Sequence, residues 1–185
     1  MFDQRPWPLE LVNERGTPRK IVGAEADVLS NHEPDLFSAY DNDSWPSTFL
    51  PAFELVAAAR RVHGVRVAED VDYGLRLAFF RHSVDVSVES GLRRALELAA
   101  ENSTDLNTAE VLDAWRRQPV RADVFDDYER SKGKDIEGSP HVFWPDGSST
   151  HNPGLADHEM VRGIPRIAVD DRDEPRRLLL KTTAA

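Results

Sequence analysis

The chain has 185 residues, 40% of them apolar and 30% charged, the composition of a folded protein with room for one well-buried core. Its formal charge of −10 leaves no basic surplus to neutralise phosphates, so neither nucleic acid nor a membrane is an expected partner, and no apolar run approaches the roughly 20 residues that cross a bilayer. The absence of cysteine excludes disulfides, thiolate metal sites and a cysteine nucleophile from these residues, and without a signal-like N-terminus the expected compartment is the cytoplasm.

In chain order, Trp7, Leu9 and Leu11 alternate with Pro8 and Glu10 and read as a short strand, irregular at its start because of the prolines. Residues 13–20, with Gly16 and Pro18, read as a loop. Residues 21–40 are mixed and polar, with at most a short helix near 34–40. A helical block follows. Ser47 or Thr48 can cap a helix whose stripe runs Phe49, Phe53, Val56 and Ala57, and Gly64 stands where a glycine stop belongs. Val71, Leu75, Ala78 and Phe79 give the next helix, over about 67–82. Leu92, Leu96 and Ala99 or Ala100 mark a third, starting from Ser87. Asn107 with Glu110 three residues on is a capping-box pattern for a fourth, which Pro119 ends, and a fifth runs over about 120–132.

After Gly133 the period changes. Residues 141–144 are apolar and β-prone, Pro145, Asp146 and Gly147 form a turn, and 148–151 return as the hairpin partner. Asn152, Pro153 and Gly154 make another turn, 166–169 read as a short strand, and Asp173 can cap a last helix over about 174–181.

The run GSPHVF, then PDG, then HNPG, resembles the DsbA-like family of thioredoxin-fold proteins, in particular its bacterial dithiol-disulfide isomerase or oxidoreductase branch. WPLELVN at 7–13 resembles that branch's second strand, and the helical block, with LRLAFF at 75–80, resembles its helical insertion. The resemblance implies an α/β fold: one domain over 1–185, with a thioredoxin-like sheet built from 1–46 and 133–185 and an all-helical insertion at 47–132. It also implies that the sheet is N-terminally incomplete, because the family's first strand, first helix and redox cysteine motif would precede WPLELVN. A reading frame started downstream of the true start is the favoured explanation, ahead of a degenerate gene.

On the same resemblance Ser139 and Pro140 form a cis-proline loop beside a substrate groove, joined by His141 and by Trp144, the tryptophan expected to face a ligand. The implied occupants are an extended peptide or a low-molecular-weight thiol. His141 starts a strand, where a structural or solvent-facing role outweighs that of a base, and His151 with Asn152 reads as a turn or cap contact. None of the six histidines forms HxH, HxxxH or HExxH, so no metal is expected. No G-x-S-x-G, G-x-G-x-x-G or P-loop occurs either, and no cofactor or catalytic residue is assigned. The acidic residues Asp170, Asp171, Asp173 and Glu174 read as a solvated loop with a helix cap. The expected function is that of a thiol-disulfide oxidoreductase or isomerase relative whose redox cysteines are not in this chain. The alternatives are a relative of the glutathione-dependent isomerases and transferases of the kappa type, and a non-catalytic binding module or homodimer pairing exposed sheet edges.

Overall fold

The apolar stripes between residues 49 and 124 converge on one long helix. The computed structural model describes residues 3–155, 158–161, 164–167 and 171–183. The chain separates into two compact units, Met1–Lys132 and Gly133–Ala185. The division falls where the sequence period changes. It is a mixed α/β chain in which the first unit is helical and the described strands lie in the second. No helix among the described residues is long and apolar enough to cross a membrane.

In the first unit, α3 (Leu50–His63) packs against α4 (Val65–Arg76), α6 (Thr108–Arg117) and α7 (Val120–Ser131), while α5 (Glu89–Ala100) lies chiefly against α4. Leu55, Val71, Leu92, Val111 and Val124 are wholly buried there; on α3 the inward residues are Leu55, Ala58 and Ala59, while Phe49, Phe53 and Val56 of the expected stripe are only partly buried, because the helix meets neighbours on more than one side. Gly64 ends α3 with φ of 85°, a conformation open to glycine at little cost. Asn107 caps α6 by accepting from the Glu110 amide at 3.2 Å. Beyond α4 the chain widens into a π-helical stretch, Leu77–Arg81, whose Phe79 and Phe80 join Tyr40, Trp45 and Phe49 in a cluster of mostly edge-to-face aromatic pairs. The Ser38 amide and hydroxyl donate to the Phe80 and Arg81 carbonyls that this stretch leaves open.

Two early expectations fail. Residues 9–12 form a helical turn, α1 (Leu9–Val12), instead of a strand: the Leu11 and Val12 amides both donate to the Pro8 carbonyl, and the Asn13 amide donates to Leu9. Three alternating apolar residues fit either shape, and local bonds complete a turn where no neighbouring strand supplies a ladder. The loop and mixed region 13–40 contains a 12-residue helix, α2 (Arg19–Ser30), and only a single turn after Glu33 where a short helix was expected. Val22 and Ala26, one turn apart, rest on the core side, but Gly23 and the surrounding charges hide that stripe in the sequence.

The α1 turn has a use. Glu10 Oε1 accepts from the Thr48 hydroxyl at 2.8 Å and the Phe49 amide at 3.0 Å, and Thr48 in turn accepts from the Leu50 amide. The amide of Phe49, which precedes α3, is thus satisfied from 39 residues away. Glu10→Ala should lower stability by about 1 kcal/mol, and Glu10→Gln, which keeps the acceptor, should restore most of it. Thermal unfolding followed by circular dichroism checks both; an unchanged Glu10→Ala midpoint would refute this cap.

The second unit contains two antiparallel hairpins, β1 (His141–Phe143) with β2 (Ser149–His151) and β3 (His158–Val161) with β4 (Ile164–Ile167), and ends in α8 (Glu174–Thr183). The first hairpin is where the sequence placed it. Strand β3 was not anticipated, and β4 starts two residues before the expected strand over 166–169, whose positions 168 and 169 lie outside the described residues.

Candidate functional site: the hairpin after Pro140

The β1–β2 connection is built by its turn residues. Gly147, at φ of 87°, donates to the Trp144 carbonyl at 3.0 Å, and Asp146 accepts from the amide and hydroxyl of Ser148. Those bonds hold the Asp146 carboxyl below the usual range. At the far end, Asn152 and Gly154 take positive φ, Gly154 accepts from the Asp171 amide at 2.9 Å, and its own amide donates to Glu174, so the HNPG turn fastens the start of α8.

Register sorts the hairpin's side chains. The Asn152 amide donates to Pro140 and the Trp144 amide to Ser148, so 140 with 152 and 144 with 148 are hydrogen-bonded pairs. His141 opposite His151 and Phe143 opposite Ser149 are therefore non-bonded pairs. Two consequences follow from this alternation. Val142, Trp144 and Thr150 share one face, on which Trp144 is 4% exposed and donates its indole N–H to the Thr150 hydroxyl at 2.9 Å. His141, Phe143 and His151 share the other. The backbone N–H and C=O groups of His141 and Phe143 point away from β2, and among the described residues they have no partner.

The loop into β1 is held by both histidines. The Ser139–Pro140 peptide is cis, and both residues are exposed. His141 Nδ1 accepts from the Glu137 amide at 3.3 Å, and its Nε2 is buried without a hydrogen-bond partner. The His151 ring stacks on His141 with centroids 6.2 Å apart and planes 16° apart. It also lies so close over Gly138 that a Cβ there would stand 2.4 Å from Nε2. Phe143, 46% exposed, has its ring 4.9 Å from that of His141, and the Lys134 ammonium sits 4.8 Å above it.

Of the residues singled out from sequence, Ser139, Pro140 and His141 come together at this loop and edge. Trp144 does not join them: it fills the hairpin's opposite, buried face, because strand alternation sends 143 and 144 to opposite sides. Phe143 is the exposed ring, and the signal that could have found it is its two-residue spacing from His141. His151 is a strand residue packed on the loop rather than a turn residue. Asp170 of the acidic run lies outside the described residues; Asp171 pairs with Arg177 and accepts from the Asp173 amide, so it belongs to the α8 start. Among the described residues no three His, Asp or Glu side chains cluster as a metal site.

In the first unit, a cleft of about 110 Å³ lies between the N-terminal segment, α3 and α7. Most of its charges are paired within the unit. Asp127 pairs with Arg5 at 3.2 Å and Arg130 at 3.0 Å, while Asp3 pairs with Arg5 and Arg60. Burial pushes Asp3 up, but the two guanidinium groups outweigh it and hold the carboxyl low. These pairs stitch the seam, and Asp126, which also lines it, is exposed to water.

No family model matches the chain, and neither does any curated protein or solved structure.

Proposed function

We propose that this protein is a DsbA-like relative of the thiol-disulfide oxidoreductases and isomerases, and that the present chain docks an extended peptide beside Ser139 and Pro140. The observation that carries this reading is the open edge of β1: outward N–H and C=O groups at His141 and Phe143, next to an exposed loop and an exposed ring. Such an edge accepts a further strand, with main-chain bonds giving affinity and alternate side chains giving selectivity. A helical unit followed by a Gly-Ser-Pro loop, a hairpin and a closing helix is the part of the expected order that supports this reading, whereas residues 9–12, expected as a strand, form a helical turn. The thioredoxin-like sheet is part of the proposal, since the described strands pair only as two separate antiparallel hairpins. Having no cysteine, these residues supply binding and leave thiol chemistry to a partner group.

The test is an amide NMR titration of the whole chain with an uncharged, β-prone peptide. Binding should shift and protect the His141 and Phe143 amides. Alternate N-methylation of the peptide, which deletes its donors, should weaken binding by about tenfold or more. Phe143→Pro should do the same from the protein side, while Phe143→Ala, which keeps the amide, should weaken it less. The reading fails if N-methylation has no effect. Shifts at the same amides with glutathione but with no peptide would move it to a low-molecular-weight thiol, and edge signals that change with protein concentration alone would move it to a homodimer.

A further inference from the structure

We infer that His141 is a pH-sensitive latch on the docking loop, an inference that takes the peptide-docking reading as its starting point and adds regulation to it. The second unit offers an uncommon arrangement: a histidine in the binding strand whose side chain holds the backbone of the loop beside it. Its Nδ1 accepts the Glu137 N–H at 3.3 Å, one residue before Gly138 and two before Ser139. An imidazole accepts at Nδ1 only while that nitrogen carries no proton. The protonated ring and the Glu137 amide are both donors, so the closed loop and the second proton exclude each other.

Across the strand pair stands the stacked His151 ring, itself able to take a proton, and the Lys134 ammonium lies over Phe143, the other ring in contact with His141. The carboxylates of the same loop, Asp135 and Glu137, are on exposed residues, where water screens them. Nε2 of His141 is buried and has no hydrogen-bond partner. His151 adds mechanical coupling. It is seated directly over Gly138, so a change in the separation of the two rings acts on the loop. Imidazole is the side chain that changes charge between about pH 5 and 8. The latch is therefore closed on the alkaline side of its transition and released on the acid side. With it goes the placement of Ser139 and Pro140 beside the open edge, so peptide docking weakens as pH falls.

The test follows the Glu137 and Gly138 amides and the His141 ring nitrogens by NMR in the whole chain, from about pH 8 to 5. In the native protein the Glu137 amide should lose its hydrogen-bonded shift in step with protonation of His141, and its intrinsic-rate-corrected exchange should quicken by about tenfold. His141→Asn places a non-titrating oxygen where Nδ1 stands; in that variant the Glu137 amide should remain bonded and pH-independent. His151→Gln should keep the transition, because His151 is not the acceptor. A peptide without titratable groups should bind the native chain about tenfold more weakly at the acid end and His141→Asn equally at both ends. A Glu137 amide that stays unchanged while His141 titrates would overturn the latch, and so would a transition that survives in His141→Asn or a peptide affinity in the native chain that does not depend on pH. If the loop transition occurs but no peptide binds at any pH, the docking reading fails while the loop switch stands. The native-chain titration decides the matter even if the variants do not fold.

Discussion

Gly91→Ala should destabilise the helical unit by about 3 kcal/mol, the cost of forcing one methyl group into a site closed by backbone. A Cβ at Gly91 would stand 1.9 Å from the Asp85 carbonyl oxygen and 2.8 Å from its carbon, with Val84 Cγ1 at 3.2 Å. Neither Asp85 atom can swing aside, because the Asp85 side chain is held by the Ser44 hydroxyl and by the amide and hydroxyl of Ser87. Burial pushes the Asp85 carboxyl up, but these donors win and hold it below the usual range. The segment that joins the π-helical stretch to α5 is thus tied down through Asp85. Gly23→Ala is the control. It lies in α2 with no atom within 4 Å of the added methyl, and it should leave stability unchanged or raise it by up to about 1 kcal/mol. Urea unfolding at the helical circular dichroism band reads both. A Gly91→Ala midpoint equal to the native one would show that the Asp85 segment yields.

Leu55→Ala should cost about 4 kcal/mol, toward the upper end of what truncating a buried leucine removes. Leu55 is 0% exposed on α3, the helix that touches α4, α6 and α7. The cost depends on how far the neighbours can close the space, and here closure is poor. Ala57, Ala58 and Ala59 bring backbones close on the same helix. At the crossing of α4 and α5, Gly74 already lies 2.5 Å, measured from an added Cβ, from the Ala95 carbonyl oxygen. Small side chains have no spare length to reach into a void. Leu180→Ala, at 60% exposure on α8, should change stability by less than about 0.5 kcal/mol. The comparison fails if the two variants lose similar stability, or if Leu55→Ala alters the urea slope, which would signal loss of two-state unfolding.

The helices between residues 50 and 131 were legible from apolar spacing, as at Val71 with Leu75 and Leu92 with Leu96, and α3 and α6 also from a stop or cap: Gly64 after α3, Asn107 before α6 and Pro119 after it. The PDG turn and the hairpin around it were equally plain, since Gly147 needs positive φ and Asp146 binds its own turn. What failed was short or masked. WPLELVN alternates over too few residues to tell a strand from a turn, and α2 carries its two inward residues among charges and a glycine. Around Pro140 the loop and hairpin were readable but the facing of their side chains was not. Trp144 and Phe143 are adjacent aromatic residues, and only register decides which of them is buried.

Composition by itself determined that these residues contain no thiol and carry a strong negative charge; such counts do not depend on folding. Local chemistry determined where helices stop and where the hairpin turns, because caps and turns are satisfied within a few residues. The tertiary structure alone decided that Glu10 caps a helix 38 residues on, that Gly91 lies against Asp85, and that His141 and His151 stack over the loop that bears Ser139 and Pro140. The first joins groups far apart in sequence, and the other two depend on how closely neighbouring segments approach, which a pattern of residue types does not record.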